Sequence, residues 1–120
     1  VIMKIFLTLF VLFFSSALIA QEISGTAWIF YEKDGDKRVI LFEDNGTFVF
    51  QNLKSNSGNE GKVFKDKTDT WKQNGDLVVI SFSDGYKLLS LKINKNGNKM
   101  TGSGVNVQGV IDEVEAYIIE

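Results

Sequence analysis

Five Asx-Gly pairs punctuate the chain: Asp34-Gly35, Asn45-Gly46, Asn74-Gly75, Asp84-Gly85 and Asn96-Gly97. Between them lie runs in which β-branched and aromatic residues alternate with polar ones, the period-two pattern of strands with one buried face. An Asx-Gly pair suits a type I′ hairpin turn, whose two central residues both need positive φ. No proline interrupts any of these runs, so every one can sit inside a hydrogen-bonded ladder. The pattern predicts eight strands, at 25–32, 37–43, 46–53, 67–73, 76–83, 86–95, 98–106 and 110–119. From Gly25 onward no apolar periodicity of helical spacing competes with it.

Eight successive strands joined by hairpins form a meander, and a meander of this size removes its exposed edges by closing on itself. The expected fold is therefore all-β, an eight-stranded antiparallel up-and-down barrel. A β-sandwich is the alternative, because the polar, Gly-rich connection "KSNSGNEGKVFKDK" could hide the crossover that a sandwich needs.

The first twenty residues differ in character. "MKIFLTLFVLFFSSALIA" offers one positive charge at Lys4, an apolar stretch from Ile5 to Phe14, then small residues. That is the layout of a signal peptide helix, and ten apolar residues are too few to cross a bilayer, which takes about 20. The expected organisation is an export segment at 1–20 and a single barrel domain at 21–120, secreted or periplasmic. Membrane contact is expected only through the signal segment during export. There is no cysteine, so an exported domain must rely on its core rather than on disulfides.

Composition excludes several function classes. With 13 basic and 15 acidic residues the chain carries a net charge of −2, and Lys37-Arg38 is its one adjacent basic pair. A nucleic-acid surface would show a basic stripe, so none is expected. The sequence has no histidine, which removes Ser-His activation and imidazole metal ligation. The acidic pairs Asp34/Asp36 and Asp66/Asp69 could in principle serve as glycosidase carboxylates, but all sit at turns, where Asp bonds its own backbone. "DGD" at 34–36 lacks the spacing of a calcium loop. Asn45-Gly46-Thr47 is a formal glycosylation sequon. No catalytic residue, cofactor or metal is expected, and the domain is read as a non-enzyme.

"SGTAW" in the first strand, "VILFEDNGTFVF" in the second hairpin and the later "WKQNGDL" and "KMTGSG" resemble the strands of calycins, the lipocalin-like and avidin-like barrels. The resemblance spans most of residues 25–119 and implies an eight-stranded barrel able to hold an internal ligand. The first strand lacks the Asn and Ser that avidins place against biotin, so biotin is not implied.

Strand parity assigns faces. Glu113 and Glu115 must meet water, which turns Val114, Ala116 and Ile118 inward. Trp28, Phe30, Phe42, Phe48, Phe50, Trp71, Phe82 and Met100 fall on the inner face, a quantity of aromatic volume that points to a mostly filled barrel. Gly102 and Gly104 either make room for those rings or line a small pocket, with Tyr86 and Asn106 as polar contacts at its mouth. The candidate internal ligand site for a small apolar compound is thus Trp28, Phe42, Phe48, Trp71, Phe82, Tyr86, Met100, Gly102, Gly104 and Asn106. Outside, Ile29, Tyr31, Val39, Leu41, Val49, Tyr117 and Ile119 gather on strands 8-1-2-3, a candidate interface for a protein partner or for homo-oligomers. A different class of function, a secreted enzyme inhibitor or envelope structural protein, would use the 54–66 loop as its probe.

Overall fold

The structure is a computed structural model that describes residues 22–56 and 58–120; the expected export segment lies outside them. Eight strands run in chain order: β1 (Ala27–Glu32), β2 (Lys37–Phe42), β3 (Thr47–Lys54), β4 (Val63–Asn74), β5 (Leu77–Phe82), β6 (Lys87–Ile93), β7 (Lys99–Asn106) and β8 (Ile111–Ile119). Each pairs antiparallel with the next, and β1 also pairs with β8 through Ala27 opposite Ile119 and Ile29 opposite Tyr117. The sheet is a closed barrel of sequential strands. The sandwich alternative is excluded, because the 53–67 segment hides no crossover.

Two expectations about local structure are corrected. β4 begins at Val63, not at residue 67. Phe64 lies opposite Phe50 and Val63 opposite Gln51, and the Phe50 and Phe64 rings stack with centroids 4.9 Å apart. A bulge then shifts the register so that Thr47 faces Thr70 while Val49 faces Lys65. The lysines and aspartates around Phe64 masked this half of the strand in the sequence.

Four of the five Asx-Gly pairs are not type I′ turns, because Asp34, Asn45, Asn74 and Asn96 do not take positive φ. At Asn45-Gly46 only the glycine takes positive φ, at 86°. The Gly46 N–H donates to Glu43 O at 3.2 Å and the Glu43 N–H to Thr47 O at 2.9 Å, the pattern of a longer loop ending in a glycine bulge. Asn45 Oδ1 instead accepts from the Thr47 N–H at 3.1 Å, using its side chain rather than an unusual backbone. In the β5–β6 turn positive φ runs over three residues, Ser83 (50°), Asp84 (56°) and Gly85 (95°), and the Gly85 N–H donates to Phe82 O at 3.1 Å, which centres the tight turn on Ser83-Asp84.

The interior is packed. Trp28, Phe42, Phe48, Ile40, Val78, Ile80, Leu89, Met100 and Ala116 have no exposed surface. Rings interlock edge to face, Phe42 against Trp71 at 5.4 Å and Phe48 against Phe82 at 4.9 Å, a geometry that adds to area burial. One end is stoppered by Ile23, fully buried. Its N–H donates to Gln73 Oε1 at 3.1 Å, and the Gly25 N–H donates to Phe42 O at 2.7 Å. Ile23 precedes the expected first strand and reads in the sequence as linker.

Candidate functional site: the outer wall and the polar end of the barrel

The outer wall of β8-β1-β2-β3 is built by register. Val49 lies opposite Leu41, Leu41 opposite Ala27, and Ala27 opposite Ile119. The next row runs Val39, Ile29, Tyr117. All seven predicted wall residues are therefore lateral or diagonal neighbours, and each is half-buried or exposed. Side chains directly opposite on one face sit about 4.5–5.5 Å apart, so these rows form one continuous apolar surface. At its edge the Tyr31 and Tyr117 rings meet edge to face at 5.9 Å. Lys37 Nζ sits 5.3 Å over Tyr31 and Lys99 Nζ 5.3 Å over Tyr117, while Tyr117 Oη donates to Glu115 Oε2 at 3.0 Å. Beside the tyrosines lies a surface groove of about 480 Å³, bordered by Tyr31, Lys33, Thr101, Glu113 and Glu115.

The predicted interior site resolves differently. Trp28, Phe42, Phe48 and Met100 are sealed and Phe82 nearly so. Trp71 is half-buried, with Nε1 donating to Glu43 O at 3.0 Å. Tyr86 does not join them: it follows the outward parity of Leu88 and is exposed. Asn106 Oδ1 accepts from the Gln108 and Val110 N–H groups at 3.0 and 3.1 Å and so shapes a turn. A Cβ on Gly102 would stand 1.9 Å from Ser90 O, and one on Gly104 2.5 Å from Leu89 Cδ2. The space these glycines leave is filled by β6.

Sequence reasoning missed the most polar inward-facing group. Glu32, Arg38 and Lys87 share the inward parity of Phe30, Ile40 and Leu89, at the end of the barrel away from Ile23. Glu32, whose side chain is 1% exposed, accepts from Arg38 Nη2 at 3.1 Å and from Lys87 Nζ at 2.5 Å. Asp36 Oδ2 stands 3.6 Å from Arg38, and the guanidinium lies over the Phe82 and Phe50 rings at 5.2 and 5.6 Å. The signal was available: three charged residues stand at inward positions in "FYEK", "DKRVI" and "YKLLS".

Asp34 and Asp36 sit in the β1–β2 turn, but Asp66 and Asp69 are not at a turn as expected: they lie within β4, beside its bulge, and there too they hold backbone. Asp66 Oδ1 accepts from the Thr68 N–H and hydroxyl, both at 2.9 Å, and these bonds hold its pKa below the usual value. Asp69 is buried and accepts from the Ser83 N–H at 2.9 Å; burial pushes its pKa up, against that bond and with help from the charge of Asp66. The Glu32, Asp34 and Asp36 carboxylates lie within 4.8 Å of one another. Arg38 and Lys87 already neutralise two of them, and Asp34 Oδ1 accepts from the Asp36 N–H at 2.9 Å. The 55–61 loop is tied to the β1–β2 turn: Asn56 N–H donates to Asp36 Oδ1 and Asn56 Nδ2 to Asp34 O, each at 2.9 Å.

No protein-family model and no curated protein matches the chain. A solved structure from Burkholderia vietnamiensis, provisionally described as a beta-lactamase, is similar in fold. Its TM-score is 0.56 at 9% identity, over 82% of this chain and 95% of that one. At that identity the likeness speaks to the barrel alone. It agrees with the sequential eight-stranded closure seen here and says nothing of which side chains act.

Proposed function

We propose that this chain is a non-enzymatic, exported binding barrel of calycin-like layout that takes a protein partner on the outer wall of β8-β1-β2-β3. The observation that carries the reading is the unbroken lateral register of Val49, Leu41 and Ile119 beside Val39, Ile29 and Tyr117. Scattered apolar residues on a surface mean little, whereas a contiguous apolar area usually has an occupant. The partner suited to it presents apolar side chains to the rows and a basic group to Glu113 and Glu115. A small apolar ligand inside the barrel has less support, because rings and aliphatic side chains already occupy the bore. Beta-lactam hydrolysis, the activity named in the Burkholderia protein's description, has little support in this chain: the sequence has no Ser-x-x-Lys pair and neither histidine nor cysteine to hold zinc.

The test is affinity capture from the native host with wild type, Leu41→Lys, Ile29→Lys and Lys92→Glu as baits. A partner held by wild type and Lys92→Glu but lost by both wall variants supports the reading. Equal retention by all four, or an apolar compound co-purifying with wild type in native mass spectrometry without any protein, would rule against it.

A further inference from the structure

The hairpin tips of this barrel are polar, with one exception among the described residues. The turns around Asp34, Asn45, Asn74, Asp84 and Asn96 carry Asx, Gly, Ser, Lys or Glu. The β7–β8 tip reads "VNVQGVI" from Val105 to Ile111, and no charged residue occurs from Met100 to Ile111. Val107 is 64% exposed, Val110 59% and Ile111 74%. Register extends this tip across the wall: Ile111 lies opposite Val105, and Val105 opposite Leu88. The Val107 N–H donates to Tyr86 O at 3.0 Å, placing the exposed Tyr86 beside Val107. The six residues, backbone and the Tyr86 hydroxyl included, expose on the order of 600 Å² together, within the range of a monomer's largest patches.

We propose that this β6-β7-β8 tip is a two-fold self-association surface whose occupant is a second copy of the same chain. Two features select that occupant. An isologous contact lays a patch against itself, and a patch without charged side chains brings no like charges together when it does so. Doubling the patch gives a buried area of roughly 1,200 Å², the lower bound for a specific interface and enough for a weak dimer. The charge at this end of the barrel is mixed, with exposed Lys33, Lys54 and Lys62 beside Asp34, Glu60 and Asp84, so it offers no basic surface to draw an anionic lipid, and vesicle binding is an outcome of the test. Ile111 and Tyr117 lie at opposite ends of β8, so the apolar rows assigned to a partner are distinct from this tip, with Glu113 between the two.

Sedimentation equilibrium of the protein as its host produces it, from about 1 to about 300 µM, reads the association. The expected result is a dimer with micromolar Kd, weakened at least about tenfold by Ile111→Lys or Val107→Lys with unchanged tryptophan fluorescence and circular dichroism. Because the sequence contains no cysteine, Val107→Cys supplies a single thiol, and a flexible bis-maleimide should then link two copies far faster than it links Lys72→Cys. Three results would overturn the assignment: a monomer over the whole range; a dimer abolished by Leu41→Lys but not by Ile111→Lys; or a monomer that pelts down with phosphatidylglycerol vesicles only while Ile111 is intact.

Discussion

Lys87 Nζ and Glu32 Oε1 meet at 2.5 Å across the bore of the barrel. Their strands, β6 and β1, are not neighbours: β7 and β8 intervene on one side and β2 to β5 on the other. The bond therefore ties together walls that no backbone ladder connects, and Arg38 extends it to β2.

Removing the anion should be costly. Glu32→Gln leaves Arg38 and Lys87 facing each other with little water between them, and breaking a buried pair in this way costs about 3–5 kcal/mol. Replacing all three by apolar residues of similar length, Glu32→Leu with Arg38→Met and Lys87→Met, should restore or exceed wild-type stability. Urea denaturation of the two variants checks the ordering; a Glu32→Gln protein as stable as wild type would show that the cations escape to solvent.

Neighbouring aspartates should respond to pH in opposite senses. The folded Asp66 has a lowered pKa, so its contribution is present above the unfolded value near 3.8 and is lost as pH falls through the folded one. The folded Asp69 has a raised pKa, so its contribution is full below 3.8 and is lost as pH rises through the folded value. Asp69→Asn, which can still accept from Ser83, should thus gain on wild type as pH climbs from 3 toward 7, while Asp66→Asn should fall behind. Thermal melts across that range decide it, and parallel curves for the two variants would refute the assignment.

Gly102→Ala should be poorly tolerated. The added methyl would collide with Ser90 O, which is backbone and cannot rotate away. The strands must separate there, with a loss of about 1–3 kcal/mol expected for overpacking. Gly75→Ala meets nothing within 4 Å, so its cost should come only from its positive φ. Chemical denaturation of the pair separates crowding from backbone strain.

Within the core, Phe48→Ala should cost about 3–5 kcal/mol, since Phe48 packs on both Phe82 and Phe50. Leu41→Lys on the outer wall should change stability by less than about 0.5 kcal/mol. If the two variants melt alike, the inward and outward faces have been assigned the wrong way round.

The barrel was legible because its signals repeat. Asx-Gly pairs marked the reversals, and alternation such as Val78-Ile80-Phe82 against Leu77-Val79-Ser81 marked the faces. The seven wall residues were legible for the same reason, since parity alone fixes side. What stayed hidden did not follow a repeating pattern. Val63 and Phe64 look like loop in the sequence because the lysines and aspartates around them outweigh two apolar side chains. The Glu32–Arg38–Lys87 group breaks the rule that inward means apolar; Glu32 and Arg38 share one hairpin, but only the closed geometry brings Lys87 to them from β6. The β7–β8 tip does not stand out in the sequence because a turn is expected to be polar, and Val107 and Val110 look ordinary until their exposure is known.

The pairing of β1 with β8 means that the first and last staves of the cask must both be present before any hoop can tighten. A chain still emerging from the ribosome, or one cut before Ile111, has an open seam along Trp28 and Phe30 and no way to shut it. Closure thus waits on the two strands farthest apart in the sequence, the kind of long-range contact that slows folding.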